Sequence, residues 1–182
     1  MTRGRVSPTN EEVARPLPGD ELVPHATVVM DRAFTLPAPP EEVWPWLVQL
    51  GKRRAGWYLT RSVERWLPPG RRALRHLDPR WQGLAVGDVI PDWGGRDETF
   101  TVTLIDPPRT LVHTSRRGHT DLSWALCLSE GGLFGNGATT RLHLRLRLGP
   151  VRHRRLVGTV GEAFDWLTVR GLAAGLAERL QR

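Results

Sequence analysis

The chain has 182 residues, with 26 basic against 19 acidic side chains and a formal charge of +7. A chain of this length fits one domain and buries roughly 70% of its unfolded surface, so it needs neither disulfide nor metal to hold together. The lone cysteine, Cys127, excludes an intrachain disulfide and fits a reducing compartment. The basic set is Arg except for Lys52, and the aromatic set is eight Trp, four Phe and one Tyr. Net charge bears on solubility and acidic partners rather than on fold.

Residues 1–22 are rich in Pro, Gly and charge and read as an extended or disordered arm. They hold no apolar run of the secretory kind. No uncharged stretch exceeds the ten residues 131–140, far below the roughly 20 that a spanning helix needs. No transmembrane segment and a cytoplasmic location are therefore expected. Residues 26–36 alternate with period 2, placing Ala26, Val28, Met30, Phe34 and Leu36 on one face with one intruder, Arg32. After the prolines of 37–40, Glu41 and Glu42 suit a helix start, and Val43, Trp46, Leu47 and Leu50 give it one apolar face. Pro45 conflicts with that helix unless it lies in or near the first turn.

A short helix is predicted over 60–67, then a turn-rich stretch to 97 with a short strand at 86–90. Strands follow at 98–105, 110–115, 122–129 and 138–148, the last two joined by a glycine-rich turn, and this spacing reads as an antiparallel meander. The longest helix runs from 155 to 182. Its glycines at 158, 161, 171 and 175 cost roughly 1 kcal/mol each relative to Ala, so packing must hold it. A sheet covered by one such helix commonly encloses a cavity.

Thr35 to Gly51 (TLPAPPEEVWPWLVQLG) resembles the opening of bacterial members of the START-like helix-grip superfamily, also called polyketide cyclase/dehydrase and lipid-transport proteins. Ala55-Gly-Trp-Tyr58, Val63 to Leu67, Leu84 to Asp88, Ser123 to Leu128 and Thr140 to Leu142 are similar to later motifs in the same order. The resemblance implies an α+β helix-grip fold over residues 23–182, a bent antiparallel sheet gripping the C-terminal helix around an apolar cavity. It also implies a hydrophobic small-molecule ligand, lipid- or polyketide-like. The superfamily includes carriers and aromatase/cyclases, and no catalytic residue carries over.

Several residues are candidates for lining such a cavity. Arg32, a charge on an apolar strand face, either anchors an acidic head group or meets an acidic side chain or water. Trp57, Tyr58, Trp93, Phe100 and Trp124 are candidate walls, against ordinary core packing. Trp44 and Trp46 are assigned to the core. His113 is a candidate general base if it lies beside Arg32, and otherwise a hydrogen-bonded or solvent-facing residue. Val102 and Leu126 from the strands, with Phe164 and Leu167 from the last helix, complete the expected lining. No metal or cofactor site is expected: His119 and Asp121 lack a third ligand. Arg141, His143, Arg145 and Arg147 share one strand face, and Arg152, Arg154 and Arg155 follow. This stretch is a candidate nucleic-acid or anionic-lipid patch, although it lacks the interleaved aromatics that single-strand binding favours; the plainer reading is a solvated convex sheet face.

Overall fold

The structure, a computed structural model, describes residues 6–93, 95, 97–134, 137–151 and 154–181. In chain order the main elements are α1 (Asn10–Ala14), β1 (Val28–Leu36), α2 (Pro40–Gln49), α3 (Arg61–Glu64), β2 (Val89–Pro91), β3 (Thr99–Asp106), β4 (Thr110–Arg117), β5 (Thr120–Phe134), β6 (Gly137–Gly149) and α4 (Arg154–Leu180). The six strands form one antiparallel sheet in the order β1-β6-β5-β4-β3-β2. The meander therefore closes on the first strand, and the long helix packs against the sheet beside it. This is the α+β, helix-grip arrangement expected. Among the described residues no helix is long and apolar enough to cross a membrane.

Register assigns the two faces. Arg32 pairs with Leu144, Leu144 with Leu126 and Leu126 with Leu111, and this row faces α4. Val169, Leu172 and Leu176 of α4 join Phe34, Leu126 and Leu142 in one core cluster. α2 adds Val43, Trp46 and Leu47 to it, with Trp44 partly buried alongside. Pro45 is the sixth residue of α2, beyond the first turn, and the helix nonetheless continues to Gln49. The glycine-rich turn is shorter than the sequence indicates: β5 runs on to Phe134, through a register shift between Glu130 and Leu133.

α4 is held at its C-terminal half by ions and by close backbone approach. Arg179, with its side chain fully buried, donates to Glu64 at 2.7 Å and to the carbonyls of Leu59, Leu74 and Gly175. Arg75 takes the other Glu64 oxygen at 2.9 Å and reaches Glu178 at 3.0 Å. At Gly175 an added Cβ would stand 2.5 Å from the Tyr58 carbonyl carbon. Helix propensity favours Ala there by about 1 kcal/mol, yet backbone cannot retreat as a side-chain tip can. Gly175→Ala should therefore lose stability, by about 1–3 kcal/mol in urea unfolding.

The outer face departs from expectation. Arg141, His143, Arg145 and Arg147 do point there, but His143 and Arg145 are buried, because residues 6–24 cross over them. Arg145 donates to the carbonyls of Glu12, Val13 and Arg15 and pairs with Asp20 and Asp31. Arg141 holds the Glu12 carboxylate in two bonds, at 2.7 and 2.8 Å. Arg147 donates to Val23 and Pro24. The arm carries a capping box at Thr9 and Glu12 and buries Val6, Leu17 and Val23. The expected solvated face is thus an arginine ladder that binds the arm's carbonyls and carboxylates. Arg152 and His153, and the side chains of Arg154 and Arg155, lie outside the described residues.

Glu12 gives this strap a measurable pH dependence. Its bond to Arg141 holds the carboxyl down at about 2, from an ordinary 4.5. A depressed carboxylate stabilises fully above the unfolded value and loses that contribution as pH falls through the folded one. Amide-exchange protection of residues 9–15 should therefore drop between about pH 4.5 and 2. Glu12→Gln should show the same loss at pH 7.

Candidate functional site

β4 carries an alternating row that points at α4: His113, Ser115 and Arg117, whose register partners on β5 are Trp124, Leu122 and Thr120. At about 3.4 Å per residue the row spans roughly 14 Å. Three buried atoms along it, His113 Nδ1, Ser115 Oγ and Arg117 Nε, have no hydrogen-bond partner among the described residues. Glu98 lies 3.9 Å from that Nε, too far for a hydrogen bond. Arg117 also pairs with Asp92, and Lys52 fixes the same loop by donating to the carbonyls of Asp92 at 2.7 Å and Gly95 at 3.1 Å. The guanidinium is therefore held between the carboxylates of Asp92 and Glu98, while its buried Nε makes no hydrogen bond to the described residues.

Four aromatic rings adjoin the row. Trp124 lies 5.6 Å from His113 and 5.8 Å from Phe100, and Phe100 meets His113 at 5.9 Å. Trp57 stacks on Trp124 at 6.2 Å and takes the edge of Trp93 at 5.4 Å. The Trp57 indole donates to the Thr168 carbonyl, which ties this aromatic strip to α4. Arg117 stands 5.7 Å over Phe100. The strip runs from His113, 5% exposed, to Trp93, 47% exposed, so it connects interior to surface.

The electrostatics favour a neutral site around His113. Burial pushes its imidazole down to about 4, from 6.5; the Trp124 backbone opposes this and the Arg54 charge adds to it. At pH 7 one ring nitrogen then donates and the other accepts. Leaving such groups unpaired costs about 1–3 kcal/mol each, which a ligand oxygen can recover.

The structure thus brings together Trp57, Trp93, Phe100, His113 and Trp124. It does not bring Arg32 beside His113. The two share a face, but β6 and β5 lie between their strands, roughly 14 Å at 4.8 Å per strand. Arg32 is buried and donates to the Asp31 carbonyl at 2.8 Å. Tyr58 is a core residue: its hydroxyl donates to the Trp46 carbonyl at 2.9 Å, burial pushes its pKa up, and Arg179 lies 4.6 Å over its ring. Val102 and Leu126 are fully buried in the core, and Leu167 is 63% exposed. Phe164 lies on α4 with its side chain outside the described ones. The expected strand 110–115 stops short of Arg117; continuing the His113 alternation in two steps, to 115 and 117, finds Ser115 and Arg117.

Two other places offer less. A cavity of about 100 Å³ lies under the arm, lined in part by Glu12, Cys127, Arg141 and His143. That is below the roughly 300 Å³ where ligand sites begin. Burial pushes the Cys127 thiol up to about 11, away from reactivity. Among the described residues no three His, Cys, Asp or Glu side chains converge as a metal would require.

No protein-family model matches the chain, and no curated protein matches it. Solved structures similar to it include CalU16 from Micromonospora echinospora, at 17% identity and TM-score 0.49, covering 84% of this chain and 81% of that one. DynU16, from the dynemicin biosynthetic locus, is 19% identical with TM-score 0.49 over 84% of this chain and 47% of that one. The Aha1 dimer protein of Colwellia psychrerythraea is 16% identical with TM-score 0.48, over 82% of this chain and 96% of that one. At such values the likeness bears on neither ligand nor chemistry, which rest on the site's own residues.

Proposed function

We propose that the chain binds and carries a hydrophobic, ring-bearing small molecule, lipid- or polyketide-like, between β4 and α4. Its oxygen atoms or acidic head group meet His113, Ser115 and Arg117, and its apolar body lies on the strip from Trp124 to Trp93. The observation that carries this reading is the row of three buried polar atoms on one strand face, each without a hydrogen-bond partner among the described residues and all beside a continuous aromatic wall. Binding fits better than turnover of the aromatase/cyclase type. A general base works best with a pKa near the working pH, and an imidazole held at about 4 is a poor one.

Two assays test this. Mass spectrometry of ligand extracted from the purified protein, before and after incubation, should find the molecule unchanged; a product of different mass would favour the cyclase. Titration with 1-anilinonaphthalene-8-sulfonate, a ring-bearing anion, should show saturable binding. Arg117→Met should weaken it about tenfold or more, as expected when a hydrogen bond to a charged group is lost. Arg32→Met should have the smaller effect; the reverse order would return the head group to β1.

A further inference from the structure

Residues 61–72, which follow the Trp57 turn, form a surface with an unusual inventory. Trp66 is 79% exposed and Val63 48% exposed. Arg61, Arg65, Arg71 and Arg72 are exposed around them, with Pro68 and Pro69 between. The segment's one carboxylate, Glu64, is turned inward and taken up by Arg75 and Arg179. The outward face therefore carries four guanidiniums and no carboxylate of its own. It is also held in shape: Arg72 donates to the carbonyls of Leu67 and Arg65, and the Arg65 guanidinium lies 5.2 Å over the Trp66 ring.

A large indole displayed on an ordered surface forfeits burial unless something covers it. Trp is the side chain best suited to the headgroup level of a bilayer, where its ring is half solvated. Arginines flanking such a ring supply attraction to an anionic leaflet. Nucleic acid fits less well, because single strands want successive stacking rings along a groove, and Val63 and the two prolines offer the phosphates nothing.

We propose that this face docks on an anionic lipid surface, with Trp66 and Val63 seated at headgroup level and Arg61, Arg65 and Arg71 on the lipid anions. The proposal stands apart from the ligand site, and the residues varied to test it lie outside that site.

The full chain is sedimented with vesicles of phosphatidylcholine alone or mixed with phosphatidylserine. Binding is expected on the mixed vesicles and absent on the neutral ones. Arg65→Glu with Arg71→Glu should weaken it about 30-fold or more, from about 1 kcal/mol per basic residue. Arg109→Glu with Arg116→Glu makes the same charge change at exposed positions elsewhere and should stay within about threefold of wild type. Trp66→Ala should weaken binding and remove the Trp66 share of the quenching that brominated lipid exerts on wild-type fluorescence, leaving only what lipid taken up beside Trp57, Trp93 and Trp124 causes. All these side chains are exposed, so unchanged circular dichroism confirms the fold. The proposal is overturned if mixed vesicles do not bind, if the two charge pairs weaken binding equally, or if Trp66→Ala has no effect. Tighter, Trp66-dependent binding to a single-stranded oligonucleotide would overturn it as well, in favour of nucleic acid.

Discussion

Glu64→Ala lowers the unfolding free energy by about 3–5 kcal/mol, the range for removing one partner of a buried ion pair. Glu64 is 3% exposed and sits between two guanidiniums, and Arg179 has its side chain fully buried. Removing the carboxylate leaves Arg179 charged, since a guanidinium does not shed its proton, and only neighbouring carbonyls remain to receive it. The cluster joins α3, the 74–75 segment and the end of α4, so the loss should appear as a cooperative shift of the urea midpoint. Glu64→Leu combined with Arg179→Met should cost less than Glu64→Ala alone, because no orphan charge is left inside. A double variant as unstable as the single one would mean that the space, not the charge, is what matters there.

Acidification gives the second large effect, through His113. Its folded pKa of about 4 lies below the unfolded 6.5. Between those values the unfolded chain binds more protons, so stability rises with pH across this window and falls on acidification. The contribution is complete above about pH 6.5. By pH 4 it has fallen by on the order of 3 kcal/mol, from about 1.4 kcal/mol per pKa unit. Carboxylates titrate in the same window, so the quantity to read is the difference between wild type and His113→Phe. Urea unfolding at pH 7, 5.5 and 4 should give a steeper acid loss for wild type. Parallel curves would place His113 in contact with water.

Much of the fold was legible because alternation and helical spacing are local signals. The run at Leu142, Leu144, Leu146 and Leu148 marked β6, and Val43, Trp46 and Leu47 marked α2. Trp57, Trp93, Phe100 and Trp124 stand out in the sequence as aromatics at strand faces and turns, but so does Tyr58, which packs in the core, and nothing local joins His113 to them rather than to Arg32. What the sequence hides is pairing across distance. Arg145 meets Asp20 and the carbonyl of Arg15 some 130 residues away, so its face reads as solvated until the arm is placed on it. Gln49 ends α2, outside the helix's apolar spacing of Val43, Trp46, Leu47 and Leu50. It is fully buried, donating to the His76 carbonyl and accepting from the Asp78 amide. Arg32 falls on the apolar strand face that its alternation indicates, but strand order, which alternation does not encode, puts it across the sheet from His113.

The central claim is that a ligand lies along the His113–Ser115–Arg117 row and the aromatic strip. The most direct measurement is a nitrogen-15 NMR titration of the full chain with 1-anilinonaphthalene-8-sulfonate. The expected result is saturable shifts in the amides of 113–117 and the indoles of Trp57, Trp93 and Trp124, with Cys127, Ser129, Arg141, His143 and Arg145 of the outer face unmoved. Shifts confined to the outer face, or no saturable shift at β4, would contradict the account.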